Sequence, residues 1–224
     1  MAVEADFEFF RFLFRSNVFA GPVLEIGGRS WQGEAGNLDA VCRELDIEWE
    51  AADMTAGPGV TLEIDILDSA TVLAVEKRWP TIALFNLLEH VYDPILALRN
   101  SMHLLTDGGV CIVAGPAVWQ IHRFPADFWR PLPDFFIEFG RREGFIVPVE
   151  MMHWLVDGAI WPCQELSTNG EAILPSVDHS RELWGASKAM RSRVIHRLFD
   201  TYGRRAVFPF SGLGLVILKG AGTT

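Results

Sequence analysis

Short apolar runs alternate along the chain with segments of helical periodicity. The apolar runs predict strands within 22–28, 47–54, 60–68, 81–90, 109–116, 145–154 and 208–220. Helical spacing between them predicts helices within 37–45, 69–79, 93–105 and 132–145. The run 81–90 is apolar on both faces, which is typical of an inner strand of a parallel sheet. The alternation therefore predicts an α/β domain.

This order of elements predicts a doubly wound, mostly parallel, seven-stranded sheet with helices on both faces. The last predicted strand, 208–220, has no helix after it, which suits an antiparallel insertion into the sheet. Between 157 and 207 the pattern loosens, and we interpret this stretch as a small helical cap or insertion within a single domain, 1–224. The N-terminal segment predicts an amphipathic helix that packs Phe7, Phe10 and Phe14 on the domain.

Charge and cysteine content narrow the classes of partner. The 224 residues include 29 Asp and Glu but only 19 Lys and Arg, so the formal net charge is −10. Binding to nucleic acid depends on clustered basic residues, so we expect neither nucleic acid nor an anionic membrane as a partner. The three cysteines, at 42, 111 and 163, form no CxxC or zinc spacing, which favours a reduced, cytoplasmic location. A homodimer is left open.

Candidate ligand-binding residues follow three of the predicted strands. Gly27 and Gly28 end the first strand, and glycine allows a ligand to approach the backbone closely. Asp53 ends the second strand, where a carboxylate can accept both hydroxyl groups of a ribose. Asp65 follows the third, with Ile66 beside it, and this pair can bind an adenine amino group and pack its ring. In open α/β sheets ligands bind beyond the carboxyl ends of the strands, so an adenosine-containing ligand is predicted.

Two phosphate-binding motifs are excluded by the residues after the first strand. The stretch from Gly27 to Gly33 reads GGRSWQG, which does not fit G-x-G-x-x-G. The P-loop pattern also fails, because Gly33 is followed by Glu34. A pyrophosphate is therefore not supported, whereas an adenosine with a small zwitterionic tail is.

Several segments in order along the chain resemble class I S-adenosylmethionine-dependent methyltransferases, in particular a bacterial small-molecule branch. The matching segments are VLEIGG (23–28), AADMTAGPGV (51–60), EIDILD (63–68), NLLEHVYDP (86–94), LLTDGGVCIVAGP (104–116) and HRFPADFWRPLPDF (122–135). The resemblance covers about the first two thirds of the chain and its closing strand. It departs at Arg29, where the family often has another glycine. It implies a Rossmann-like fold and S-adenosylmethionine as cofactor.

The resemblance also implies roles for individual residues. Glu25 and Gly27 would meet the methionine tail of the cofactor and Gly28 its backbone side, while Asn86 and Leu87 would line the pocket near the methionine end. The remaining implied cofactor contacts are Asp53 to the ribose, Asp65 to the adenine amine, and their neighbours Met54 and Ile66. The plainer alternatives are a strand-to-helix turn at the glycines and turn caps at the two aspartates.

Methyl transfer to a hydroxyl or ammonium group needs a base, and histidine suits that role near neutral pH. We favour His122, with Asp127 to orient its imidazole, and we keep His90 as the second candidate. Arg130 is placed to hold an anionic substrate. The other candidate substrate residues are Trp129, Trp119 and His153. Alternatively, this loop merely packs on the sheet through its aromatic residues.

The hypothesis that follows is methyl transfer to an oxygen, less readily a nitrogen, of a small molecule. No compact set of Asp, Glu and Asn typical of a hard-cation site stands out, so no metal is expected. One competing hypothesis is a non-catalytic, methyltransferase-like binding or scaffold subunit, which the Arg29 departure supports. A nicotinamide-linked oxidoreductase is disfavoured by the missing dinucleotide motif.

Overall fold

The computed structural model describes residues 4–30, 37–123, 125–156, 158–163, 165–166, 172–173 and 211–221. Its main sheet has eight strands in the order β3-β2-β1-β4-β5-β10-β6-β7. These strands are β1 Val23–Ile26, β2 Trp49–Asp53, β3 Val60–Glu63, β4 Trp79–Phe85, β5 Leu105–Val118, β6 His153–Val156, β7 Ala159–Pro162 and β10 Ser211–Leu218. A second, two-stranded sheet pairs β8 Glu165–Leu166 with β9 Ala172–Ile173.

Strands β1 to β5 run parallel, as the alternation of strands and helices predicts. Strand β10 lies antiparallel between β5 and β6, so the predicted late antiparallel strand is confirmed. The predicted strand count of seven is wrong. The eighth strand, β7, forms an antiparallel hairpin with β6 at the edge of the sheet. It falls at the start of the predicted cap 157–207, most of which lies outside the described residues.

The described helices lie between the strands as expected. They are α1 Glu4–Arg15, α2 Asp39–Glu44, α3 Ser69–Leu73, α4 Pro94–Leu104 and α5 Pro133–Glu143. Asp68 caps α3, since its carboxylate accepts a hydrogen bond from Ala70 N, and Asp93 caps α4 in the same way through Leu96 N. Gly144 ends α5 in the left-handed conformation, at φ 78°. None of the helices in the described ranges has the length and apolar character needed to cross a bilayer.

Helix α3 is shorter than the sequence predicts. It ends at Leu73, whereas helical spacing extends to residue 79. Trp79 instead begins β4, where its side chain is buried and its Nε1 donates a hydrogen bond to Glu50 Oε1 at 3.0 Å. Because Trp79 precedes a proline, its backbone is biased toward extended conformations. The following proline and the burial of the indole together therefore favour a strand conformation for Trp79.

Apolar side chains form a core on each face of the sheet. All four residues of β1 are buried, as required of a strand covered on both sides. Helix α1 covers one face with Phe9, Phe10 and Leu13, which are fully buried. The predicted packing of this amphipathic helix is thereby confirmed, with Phe7 and Phe14 only partly buried at its margin. This arrangement leaves the carboxyl edge of the parallel strands for ligand-binding groups.

Candidate functional site

Glu25 organises the loop after β1 from inside the protein. Its side chain is buried, and its Oε2 accepts hydrogen bonds from Leu38 N at 2.8 Å and Trp49 Nε1 at 2.9 Å. Burial raises the pKa of Glu25 to about 7. The carboxylate thus ties β1 to the following helix and to β2. The group faces the interior and positions the loop, and its expected contact with a methionine tail stays a prediction.

The two glycines after β1 form a close strand-to-loop turn. Gly27 has φ +80°, and a Cβ at this position would lie 3.1 Å from Leu87 Cδ1. A Cβ on Gly28 would lie 3.0 Å from the Cβ of Ala51. Only glycine fits both the backbone conformation and the space at Gly27. The turn brings bare backbone close to Leu87, just beyond the carboxyl end of β4, and close approach of a ligand to this backbone stays a prediction.

Asn37 holds this loop in place, although no pattern in the sequence singles it out. Its side chain is buried, and its Nδ2 donates to Gly28 O at 2.8 Å and to Ser30 Oγ at 2.9 Å. The neighbouring Arg29, where the resemblance departs, packs against the loop after β2. A Cβ on Gly57 would lie 2.5 Å from Arg29 Nε. Glycine at 57 therefore provides the space for an arginine at 29.

The two aspartates at the ends of β2 and β3 each stabilise a turn. Asp53 Oδ1 accepts a hydrogen bond from Thr55 N at 3.0 Å, and Asp65 Oδ1 accepts one from Leu67 N at 2.8 Å. Asp53 is half-buried and Asp65 is exposed. In each carboxylate this hydrogen bond uses one oxygen. The turn role that the sequence left as an alternative is therefore present, and it is compatible with a second contact to a ligand.

The two apolar neighbours of these aspartates differ in environment. Met54 is 67% exposed, so its thioether is accessible to a ligand ring. Ile66 is buried in the main core, and its carbonyl accepts a hydrogen bond from Asn100 Nδ2 at 2.7 Å. Little of the Ile66 side chain reaches the surface, and its expected contact with a ligand ring stays a prediction.

Asn86 and Leu87 follow β4 at the same edge of the sheet. Asn86 has φ 50°, an uncommon value for a residue other than glycine, and turns the chain out of the strand. The prediction that the fourth strand extends to residue 90 is therefore wrong, since β4 ends at Phe85. Asn86 Nδ2 donates to Asp6 Oδ2 at 2.9 Å, which joins helix α1 to the carboxyl end of β4. Leu87 lies against Gly27, as described above.

Glu89, His90 and His122 converge just beyond the ends of β4 and β5. Glu89 and His90 lie in a single 3₁₀ turn, Leu88–His90. The Nε2 atoms of His90 and His122 lie 3.6 and 3.9 Å from Glu89 Oε1, and the two imidazole rings are 4.9 Å apart. Burial raises the pKa of Glu89 to about 7 and lowers the pKa of His90. Both proposed bases thus share one centre with a buried carboxyl group.

Asp127 holds the loop that carries His122. Its Oδ2 accepts hydrogen bonds from His122 N at 2.8 Å and from Arg130 Nη2 at 2.7 Å, and it lies 3.4 Å from His122 Nδ1. The Arg130 hydrogen bonds hold the pKa of Asp127 well below its usual range. Asp127 is therefore positioned to orient the imidazole, as expected. Arg130 also donates to Gln120 O and so ties the loop, and its expected role with an anionic substrate stays a prediction.

The remaining predicted substrate residues fall into two groups. Trp129 is 45% exposed, and its Nε1 donates to Tyr92 O at 3.2 Å. Trp119 directly follows β5 and is half-buried. His153 is buried, and its ring lies 5.1 and 5.7 Å from those of Phe12 and Phe9. It packs against these two rings beneath α1, and its expected substrate role stays a prediction.

Within the described residues, Glu89, His90 and His122 form a group that could hold a metal ion, since one ligand atom from each lies within 4.8 Å of the others. The sequence did not indicate this group, because its members come from two separate loops. The available signal was an adjacent acid and histidine immediately after an apolar run.

Comparisons with known proteins identify the fold. No protein-family model and no curated protein matches the sequence. A SAM-dependent methyltransferase from Archaeoglobus fulgidus is similar in structure, with a TM-score of 0.53 and 16% identity over 96% of this chain and 94% of that one. The 1,6-didemethyltoxoflavin-N1-methyltransferase of Burkholderia thailandensis has a TM-score of 0.57 and 12% identity over 96% and 78%.

The same fold also occurs in a protein with a different activity. The [4+2]-cyclase SpnF has a TM-score of 0.53 and 14% identity over 97% of this chain and 81% of that one. Structural similarity at identities this low establishes the fold alone, so any activity must be inferred from the residues of the site. The chain has the Rossmann-like fold of class I SAM-dependent methyltransferases, with an added eighth strand in its sheet.

Proposed function

We propose that this protein transfers the methyl group of S-adenosylmethionine to an oxygen atom of a small molecule. One observation carries the proposal. The Gly27–Gly28 turn and the carboxylates of Asp53 and Asp65 follow three adjacent strands, and a histidine pair follows the next two strands at the same edge. A nucleoside site and a proton-accepting centre are thus adjacent, as a two-substrate transfer requires.

Without a metal ion at Glu89, His90 and His122, the proposed reaction is an in-line displacement. The acceptor hydroxyl gives its proton to His122 Nε2 as its oxygen forms a bond to the methyl carbon. The electron pair of the carbon–sulfur bond moves to sulfur, and neutral S-adenosylhomocysteine leaves. Asp127, 3.4 Å from Nδ1, stabilises the imidazolium that forms. The protein's main task is to align the acceptor oxygen with the methyl carbon.

A small, partly apolar acceptor suits the surface beside the histidines. Tyr92, Phe128 and Trp129 are 75%, 48% and 45% exposed, and the rings of Tyr92 and Phe128 are in edge contact. Apolar walls with a few polar groups are typical of small-molecule sites. The net charge of −10 argues against a nucleic-acid acceptor. A nitrogen acceptor is the second candidate, since a structurally similar enzyme is named as an N1-methyltransferase.

Calorimetric titration with S-adenosylmethionine, S-adenosylhomocysteine and NADH tests the proposal. We expect one site for each of the two adenosyl compounds and none for NADH. Binding followed by methylation of acceptors in a screen of phenols, sugars and amines would establish the activity. Cofactor binding without transfer to any acceptor would favour the scaffold subunit or a cyclase-like use of the fold. No binding at millimolar cofactor would overturn the proposal.

A further inference from the structure

The buried carboxylate of Glu89 is unusual because one of its oxygens has no polar partner. The side chain is 1% exposed, and its Oε1 has no hydrogen-bond partner among the described residues. His90 Nε2 lies 3.6 Å and His122 Nε2 lies 3.9 Å from Glu89 Oε1, and both distances are too long for a hydrogen bond. An unpaired buried carboxylate oxygen is costly, so this arrangement calls for a ligand between the three atoms.

Both histidines are oriented by groups on their other ring nitrogen. His90 Nδ1 lies 2.5 Å from Ala126 O, so Nδ1–H donates to that carbonyl and the lone pair on Nε2 faces Glu89. His122 Nδ1 lies 3.4 Å from Asp127 Oδ2, which Arg130 and the His122 amide hold in place. A carbonyl or carboxylate behind the imidazole is the usual support of a metal-binding histidine.

We propose that Glu89 Oε1, His90 Nε2 and His122 Nε2 bind a divalent first-row transition-metal ion. Bonds of about 2.0–2.1 Å in a tetrahedral site separate neighbouring ligand atoms by about 3.3 Å. The distances of 3.6 and 3.9 Å from Glu89 Oε1 must therefore shorten by about 0.3 and 0.6 Å, and the two histidine ligand atoms, which lie within 4.8 Å of each other, must also come to this separation. Two imidazole ligands favour zinc, iron, cobalt or nickel over magnesium or calcium. Three protein ligands leave a coordination position open, and His122, 27% exposed, lies on the solvent side.

The consequence for catalysis rests on the proposed function, whereas the binding itself does not. With an ion present, both Nε2 lone pairs are coordinated, and the acceptor hydroxyl occupies the open position. Coordination lowers its pKa, so its proton passes to a solvent base. The oxygen then forms a bond to the methyl carbon while the carbon–sulfur electron pair moves to sulfur and S-adenosylhomocysteine leaves. The acceptors favoured by such a site carry a hydroxyl that coordinates as an alkoxide or phenolate. His122 acts as the base only in the metal-free protein.

The test is calorimetry on the chelator-treated full chain, titrated with ZnCl₂, CoCl₂ and MgCl₂. We expect one zinc or cobalt ion per chain, no magnesium, and a visible Co²⁺ spectrum of nitrogen and oxygen ligands without thiolate bands. Glu89→Gln and His122→Ala should each weaken Zn²⁺ binding more than about 100-fold, and Asp127→Asn about 10- to 100-fold. His103→Ala, which removes a histidine on α4, is the matched control and should bind as the unchanged protein does.

Circular dichroism and S-adenosylmethionine binding of each variant separate loss of the ion from loss of the fold. Failure of the unchanged chain to bind zinc or cobalt while it binds S-adenosylmethionine overturns the metal site and leaves methyl transfer standing. Zinc binding without cofactor binding supports the metal site and overturns the proposed function. Zinc that binds equally well to Glu89→Gln and His122→Ala places the ion elsewhere and rejects this assignment.

Discussion

The two halves of the candidate site are built differently. Beyond β1 to β3, the site consists of backbone turns: Gly27 at φ +80°, and Asp53 and Asp65 each accepting an amide hydrogen bond two residues on. Beyond β4 and β5, it consists of side chains from separate loops, Glu89, His90 and His122, which meet without hydrogen bonds among their facing atoms. The first half is fixed by local sequence. The second depends on how two loops pack, so its chemistry should be the more sensitive to substitution.

The largest effect is expected in the half of the site that is built from side chains, beyond β4 and β5. Replacement of His122 by alanine should lower kcat about 100- to 10,000-fold, the usual contribution of a positioned acid or base. Cofactor affinity should change little, because His122 lies beyond β5 and the nucleoside residues follow β1 to β3. Steady-state kinetics and calorimetry measure the two effects, with His103→Ala as the control. Unchanged turnover would remove His122 from the chemistry and weaken the contrast between the halves.

The free energy of unfolding should depend on pH through Glu25, the buried residue that supports the half of the site built from backbone turns, called the turn half below. Its pKa in the folded protein is raised to about 7 from an ordinary value near 4.5, so folding favours its neutral form. The corresponding stability is present below the unfolded pKa and is lost as pH rises to about 7, a decrease of about 3 kcal/mol in the free energy of unfolding. Urea denaturation across this range should show the decrease, and Glu25→Gln should remove the share that belongs to Glu25, while Glu89, whose pKa is also raised to about 7, keeps its own. Parallel curves for the two proteins would contradict the role of burial.

A smaller effect is expected on cofactor affinity at Asp53. Asp53→Asn should weaken S-adenosylmethionine binding by about 1.5–3 kcal/mol, the value of a hydrogen bond to a charged group, or about 10- to 150-fold. Glu76→Gln is the matched control, because Glu76 is an exposed acid before β4, at the opposite edge of the sheet. Equal affinities for both variants would mean that Asp53 only forms its turn with Thr55.

The smallest effects should separate two glycines of the turn half. Gly27→Ala is expected to cost about 1–2 kcal/mol of stability, because a side chain at positive φ is strained and this Cβ would crowd Leu87. Gly57→Ala should cost less than about 1 kcal/mol, because it meets the flexible Arg29 side chain. Thermal or urea unfolding measures both. A larger cost at Gly57 would show that the position of Arg29 matters more than the backbone of the turn.

Sequence periodicity was sufficient for most of the fold, because the burial of a strand or helix face leaves a repeating apolar pattern. The parallel strands β1 to β5, the helices between them and the antiparallel β10 were all predicted. The apolar pattern mispredicted the ends of elements where tertiary contacts or backbone conformation decided them. Trp79 joined β4 because its indole is buried there, and Asn86 ended that strand by adopting a positive φ. The eighth strand was missed because its pairing with β6 leaves only a short, mostly exposed segment.

The same division holds for the site. The sequence by itself determined the glycine turn and the carboxylates at the strand ends, because their positions follow from local chain geometry and parallel strands share one edge. Only the tertiary structure decided that Glu25 faces inward, that Arg130 is engaged by Asp127, and that His153 packs beneath α1. It alone also brought Glu89 and His90 to His122. Side-chain convergence between distant loops depends on packing, which leaves no periodic signal in the sequence.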